Sequence, residues 1–181
     1  RTELALACQT AQEKGLKAVA LEQPETFVKF HRGLAALLVH TAPPPRAPPK
    51  VTVLIGSPGS GKTRYAYDLD PALYTPMIGN GLWFDGYDGQ KTVLFDDFYG
   101  EIPYSFLLRL LDRYPLQVPI KGGSAHWTPT HIILTSNKEV TSWYDDTAAL
   151  SRRISEIIHK DLEPPQPRVT ASLQDETDVE V

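Results

Sequence analysis

The spacing of apolar positions changes character partway along the chain. Phe27, Phe30, Leu34, Leu37 and Leu38 recur at i, i+3, i+7, i+10 and i+11, the period of an amphipathic helix. Pro24 suits the first position of that helix. Residues 2 to about 22 also read as helical, with Leu4, Ala7, Cys8 and Ala11 on one face and Gly15 as an interruption. From Lys50 onward the apolar residues come in strand-length runs separated by helical patterns. Val51 to Ile55 and Thr92 to Asp97 read as buried strands, the second ending in two acids. Lys62 to Leu69 continues as a helix. Ile102 to Tyr114 is amphipathic, with Phe106, Leu107, Leu110, Leu111 and Tyr114 sharing a face. Leu116, Val118 and Ile120 alternate with polar neighbours before Lys121-Gly122-Gly123-Ser124, and Ala125 to Thr128 follows, the pattern of a β-hairpin. His131 to Thr135 is a further strand. A short helix through Thr147 to Arg152 or Arg153 and a strand at Ile154 to Ile158 close the series.

Strands alternating with helices imply an α/β layered domain over residues 50–162. Residues 1–40 form a small helical piece that cannot bury much core alone, and it is expected to pack on something, copies of itself included. Between them, residues 41–49 hold five prolines and read as a semi-rigid extended linker. Residues 163–181 turn to proline and acid, a composition expected to be disordered.

Composition changes this picture in two places. The net charge of −4 is concentrated in the tail, where Glu163, Asp175, Glu176, Asp178 and Glu180 face only Arg168. The other residues balance, so nucleic-acid contact would have to come from a few placed bases rather than a basic surface. The single cysteine, Cys8, excludes an internal disulfide or a cysteine-based metal framework and fits a reducing compartment, with the thiol as a small packing group. Apolar runs are too short for a transmembrane span, and no secretory signal is visible. The start at Arg1 rather than methionine reads as an excised part of a longer protein.

Gly56-Ser57-Pro58-Gly59-Ser60-Gly61-Lys62-Thr63 fits the P-loop pattern G-x-x-x-x-G-K-[ST] at every fixed position, between a strand and a helix. Glycines let successive N–H groups curl toward phosphate oxygens, and the helix N-terminus adds the positive end of its dipole. Lys62 is expected on the β- and γ-phosphates of ATP and the Thr63 hydroxyl on Mg²⁺. A chance glycine turn is the competing reading, and the strand–loop–helix context argues against it. Asp96, at a strand tip, is expected to hold the Mg²⁺ shell with Thr63, and Asp97 to act as general base toward water. Acidic pairs also form ordinary turns, so this reading leans on the P-loop. Asn137, ending a strand, could orient water against the γ-phosphate or simply sit in a turn. Arg152 and Arg153 could stabilise phosphoryl-transfer charge from a neighbouring subunit, or complement a helix C-terminus. Lys121 on the hairpin, near His126 and Trp127, could hold a phosphate and stack a base of single-stranded nucleic acid. It could equally be a solvated hairpin lysine beside a half-buried Trp. Trp83-Phe84-Asp85-Gly86-Tyr87-Asp88-Gly89 is expected to pack beneath the nucleotide loop. The histidines are scattered and give no zinc motif.

These segments occur in an order that resembles the superfamily 3 helicase part of the replication-associated (Rep) proteins of circoviruses and related circular single-stranded DNA viruses. The resemblance rests on residues 56–63 and 83–89, Asp96-Asp97-Phe98-Tyr99-Gly100, Leu108 to Leu116, Lys121-Gly122-Gly123, Ile133 to Asn137 and Ala149 to Ile154. Residues 31–39 resemble the end of the family's helical oligomerisation region. The resemblance implies an AAA+-like P-loop NTPase that forms a homo-oligomer, a ring usually of six subunits. ATP and Mg²⁺ would lie between neighbours and single-stranded DNA would pass through the middle, in the host nucleus, with no membrane partner. It makes residues 56–63 motif A, Asp96 and Asp97 motif B and Asn137 the motif C sensor. Lys121 then sits in the DNA-contacting hairpin with His126 nearby, and Arg152 or Arg153 is the finger, which of the two being open. Full-length members also carry a nicking domain with a His-hydrophobe-His site and a catalytic tyrosine. Nothing in this sequence matches it, so nicking is not expected of this chain. Two other classes compete with the ring motor: a P-loop kinase, which would ordinarily show an arginine-bearing lid, and a nucleotide-dependent assembly module without unwinding activity.

Overall fold

The computed structural model describes residues 2–41, 46–79 and 81–160. The acidic segment 163–181 and the proline run 42–45 lie outside the described residues.

Three helices open the chain: α1 (Glu3–Lys14), α2 (Leu16–Glu22) and α3 (Pro24–His40). Thr2 caps α1 by accepting the Ala5 N–H at 3.3 Å. Gly15 separates α1 from α2 at φ +84°, a left-handed conformation that favours glycine. Pro24 stands at the first turn of α3, where its missing N–H costs nothing. The three helices bury Ala7, Ala11, Val19 and Leu34 among themselves, with Cys8, Leu16, Phe27 and Leu38 packed around them. Their outer surfaces leave Leu4, Leu6, Leu21, Val28 and Phe30 exposed.

The rest of the chain supplies β1 (Lys50–Gly56), α4 (Lys62–Leu69), β2 (Met77–Gly79), β3 (Gly81–Trp83), β4 (Thr92–Phe95), α5 (Tyr104–Leu110), β5 (Gln117–Ile120), β6 (Gly123–His126), β7 (His131–Ser136), α6 (Ala148–Ser151) and β8 (Glu156–Lys160). The main sheet has the order β4-β7-β1-β8, all parallel. Tyr74 adds a single parallel bridge to Val93 at the outer edge. Parallel strands covered on both faces read as unbroken apolar runs, and β1 has five consecutive buried residues, Val51 to Ile55. Alternation still divides them. Val53, Phe95, Ile132 and Leu134 face the larger core, whereas Leu54, Leu94 and Ile133 face Ala66 of α4.

Two elements end earlier than their apolar pattern predicts. The strand expected to reach Asp97 stops at Phe95, because the Asp96 side chain turns to hydroxyl donors and Asp97 adopts φ +49°. The helix expected over Ile102 to Tyr114 spans only Tyr104–Leu110. Its last carbonyls are captured from outside: the Leu110 carbonyl accepts the Trp127 indole N–H at 2.9 Å and the Arg46 guanidinium. Arg46 also reaches the Tyr114 carbonyl at 3.1 Å, a cation at a helix C-terminus. It straps the linker to the α/β layer, and burial lowers its pKa.

The turn at 83–89 makes its described contacts with the β5–β6 hairpin and the start of α2. Phe84 is fully buried at the base of the β5–β6 hairpin, 5.1 Å from the Trp127 ring, and its N–H donates to the Pro119 carbonyl at 2.9 Å. The hairpin recruits these aromatics because a two-stranded ribbon has no stable core of its own. Asp88 from the same turn accepts the N–H groups of Leu16 (3.2 Å) and Lys17 (2.8 Å), which joins the start of α2 to the α/β layer. A side chain at Gly15 would come within 3.2 Å of that carboxylate. Among the described residues no helix is long and apolar enough to cross a membrane.

Candidate functional site: a P-loop against three strand ends

Parallel strands deliver their C-terminal ends to one edge of the sheet, and ligand sites in such sheets form there. β1 ends in the P-loop, β4 in Asp96 and Asp97, and β7 in Ser136 and Asn137, so residues far apart in sequence converge. Gly59 and Gly61 have φ +82° and +81°, and Gly61 is the left-handed residue immediately before α4. A Cβ at either glycine would meet nothing within 4 Å, so the left-handed backbone, not lack of space, is what calls for glycine there. Gly56 differs: a Cβ there would collide with the Lys160 carbonyl of β8, which makes glycine the only residue that fits.

Lys62 is 5% exposed, yet its ammonium has no carboxylate partner among the described residues. Its three donors go to the carbonyls of Gly56 (2.8 Å) and Ser57 (3.0 Å) and to Asn137 Oδ1 (2.8 Å). A buried charge held only by neutral acceptors is incompletely compensated, and an anion in the loop would supply the missing half. The buried Ser60 hydroxyl also lacks a partner. Both features suit a phosphate chain.

Thr63 Oγ1 donates to Asp96 Oδ1 at 2.9 Å, and Thr135 Oγ1 donates to the same oxygen at 2.7 Å. Thr63 and Asp96 together form a pair of hard oxygen donors, the number Mg²⁺ takes from protein when it keeps its waters. Thr135 also accepts the Asp97 N–H at 2.8 Å. One fully buried hydroxyl therefore aims Asp96 and pins the left-handed backbone of Asp97. The Asp97 side chain is exposed and, among the described residues, makes no hydrogen bond of its own. Asn137 Nδ2 donates to the Tyr99 hydroxyl at 2.6 Å.

Neither Thr135 nor Tyr99 was singled out from sequence. A threonine inside an apolar run reads as a strand former, and Tyr99 entered only as one letter of the segment Asp96 to Gly100. The one available signal was that both sit within a residue or two of strand-end polar groups.

The remaining candidates lie elsewhere. Lys121 is at the tip of the β5–β6 hairpin, its side chain 80% exposed and 3.5 Å from Asp85 Oδ2. His126 is at the base of the hairpin, with Nε2 3.0 Å from the Leu38 carbonyl of α3. Trp127 is not half-buried but 1% exposed, so its ring is core and not a stacking platform. The two arginines diverge. Arg153 is tied within its own chain, to Asp112 Oδ2 at 2.7 Å and to the Ala149 carbonyl at 2.9 Å. Arg152 is exposed, with no partner among the described residues.

A parallel sheet whose first strand runs into this loop, with an acid and an amide at neighbouring strand ends, defines a P-loop NTPase fold. The RNA helicase family model matches residues 52–138. The chain is 47% identical over 146 residues to the replication-associated protein of Goose circovirus, covering 77% of this chain and 49% of that one. It is 41% identical over 167 residues to the replication-associated protein of Porcine circovirus 2, covering 87% of this chain and 53% of that one. Over this span the chain is similar to the circovirus replication-associated proteins, and the helicase-family model matches its α/β part. It spans about half the length of these relatives. Among solved structures, the S. cerevisiae Hsp104-ADP complex is similar at TM-score 0.48 and 14% identity, over 87% of this chain and 29% of that one, too distant to inform the site.

Proposed function

We propose that the chain is the ATP-hydrolysing helicase motor of a viral replication initiator, acting on single-stranded DNA as a homo-oligomeric ring. The observation that carries this reading is the buried Lys62 ammonium at the P-loop, held only by neutral acceptors, with Asn137 bonded to it from the end of β7 and Asp96, from the end of β4, bonded to the adjacent Thr63.

In this reading the loop N–H groups and Lys62 bind the phosphates, and Lys62 exchanges one of its neutral acceptors for a phosphate oxygen. Thr63 and Asp96 are the residues that would hold Mg²⁺, which would supply charge neutralisation at the phosphate oxygens. Asp97, held by its backbone and free at its carboxylate, takes the proton of the attacking water. Asn137 orients that water and senses the γ-phosphate. Arg152 is the better finger candidate, because Arg153 is engaged by Asp112 whereas Arg152 is exposed and can reach a neighbouring subunit. Lys121, exposed at the hairpin tip, contacts the DNA backbone. His126, turned to α3, supports the hairpin from its base.

The test is ATP turnover, with and without single-stranded DNA, by the intact chain and by Lys62→Ala. Turnover is expected to vanish in the variant while the fold survives. A Lys62→Ala protein that hydrolyses ATP at the normal rate sinks the site assignment.

A second reading, an assembly module with little unwinding of its own, is favoured by the exposed Leu4, Leu6, Leu21, Val28 and Phe30 on the helical unit. Strand displacement measured on assembled protein separates the two. The domain limits 1–40, 41–49, 50–162 and 163–181 are part of the same proposal.

A further inference from the structure

The Asn137 amide is occupied at both ends, and the chemistry of its partners fixes which end is which. Lys62 can only donate, so the atom 2.8 Å from its ammonium is the amide oxygen. The NH₂ end then faces the Tyr99 hydroxyl, 2.6 Å away, and that hydroxyl must accept. The three side chains form one directed relay, Lys62 to Asn137 to Tyr99, running from the P-loop to the turn after β4.

Tyr99 is itself held. Its N–H donates to Glu101 Oε2 at 2.9 Å, and the Lys138 ammonium lies 5.6 Å over its ring. Burial, with the Asp97 and Glu101 carboxylates behind it, pushes the phenol above its ordinary pKa, so it stays protonated at neutral pH. While it accepts from Asn137, its own O–H remains available to donate.

We infer that Tyr99 is the positioning residue for Asn137, holding the amide in register when Lys62 turns to the phosphates. When Lys62 is drawn to an anion, Asn137 Oδ1 loses its donor. Only the Tyr99 bond then stops the amide from rotating, and the freed oxygen faces the site as an acceptor for a water proton. This inference rests on the ATP-hydrolysis reading above and names how one of its residues is kept in place.

Tyr99→Phe removes the acceptor and keeps the ring, so the turn and the Lys138 contact should persist. Loss of one positioning hydrogen bond should lower kcat for ATP about 3- to 10-fold, with the dissociation constant of a non-hydrolysable ATP analogue changed less than about twofold. The decisive arm is the double variant. In an Asn137→Ala background Tyr99→Phe should cost nothing further, because a residue acting through Asn137 has nothing left to position. Additive losses in the double variant, or an unchanged kcat in the single one, overturn the inference. Lys62→Ala run alongside separates the two levels. If it is inactive while Tyr99→Phe is normal, only the positioning role fails. If Lys62→Ala is fully active, the nucleotide reading fails and the inference goes with it.

Discussion

Thr135→Val removes a hydroxyl and preserves almost everything else, which isolates what that hydroxyl holds. Thr135 is fully buried, and valine has its shape, so no cavity is opened. Two hydrogen bonds go: the 2.7 Å bond to the Asp96 carboxylate and the 2.8 Å bond accepted from the Asp97 N–H. A bond to a charged group is worth about 1.5–3 kcal/mol net. The Asp97 N–H is only partly shielded, so its loss adds at the low end, about 1 kcal/mol. The expected destabilisation is about 2.5–4 kcal/mol. Thr135→Ser is the control: it keeps the hydroxyl and drops one methyl, a cost of about 1 kcal/mol. Urea unfolding of the three proteins reads the difference as a shift in midpoint at constant slope. The valine variant should also lose ATP turnover more than ATP binding, since Asp96 and the left-handed Asp97 lose their common anchor. If valine proves as stable as serine at this position, the bridging hydroxyl is not what fixes the two acids, and the argument fails.

The arginine pair should separate cleanly. Arg153→Ala breaks a partly buried pair with Asp112 and should cost about 1–3 kcal/mol in denaturant unfolding. The hydrogen bond from Arg153 holds the Asp112 carboxyl below its ordinary value. That stabilisation is complete above the unfolded pKa of about 4 and is lost as pH falls through the lower folded value. The stability gap between Arg153→Ala and the parent should therefore close in acid, and a gap that widens there would contradict the assignment. Arg152→Ala should leave stability within about 0.5 kcal/mol while ATP turnover collapses. Mixing it with Lys62→Ala should restore part of the activity, and demonstrably mixed rings without restoration count against a finger acting in trans. Lys121→Ala breaks only an exposed pair with Asp85, so stability should change by less than about 1 kcal/mol. Single-stranded DNA affinity should fall, with the log–log salt slope shallower by about 0.7. An unchanged affinity returns Lys121 to a solvated hairpin residue.

The α/β fold was legible where one residue's environment is set by its near neighbours. The helix Lys62–Leu69 and the runs Val51 to Ile55 and His131 to Thr135 follow from period and loop chemistry alone. The strands Met77–Gly79 and Gly81–Trp83 did not, because three residues are too few to display alternation. The short α5 was misread for another reason. Its apolar stripe continues past Leu110, but the acceptors that end it are met by Arg46 and Trp127, distant in sequence. The site divides in the same way. Lys62 and Thr63 belong to a pattern with fixed spacing, Asp96 was read by leaning on it, and Asn137 was set above a turn residue only by the family resemblance. Thr135 and Tyr99 act only through the partners that folding brings to them.

The turn at 83–89 has a mechanical consequence. Asp85 grips the hairpin at Lys121, through a 2.6 Å bond from its N–H, and Asp88 grips the start of α2. Gly86 lies between them at φ +82°, and buried Phe84 and Tyr87 clamp the same few residues into the core. The turn thus works as a short rigid link with a carboxylate hook at each end. A swing of the hairpin tip cannot be absorbed locally: it either drags the helical unit along or unhooks one of the two acids. Any displacement of the hairpin tip would in this sense be metered by the helices that precede it in the chain.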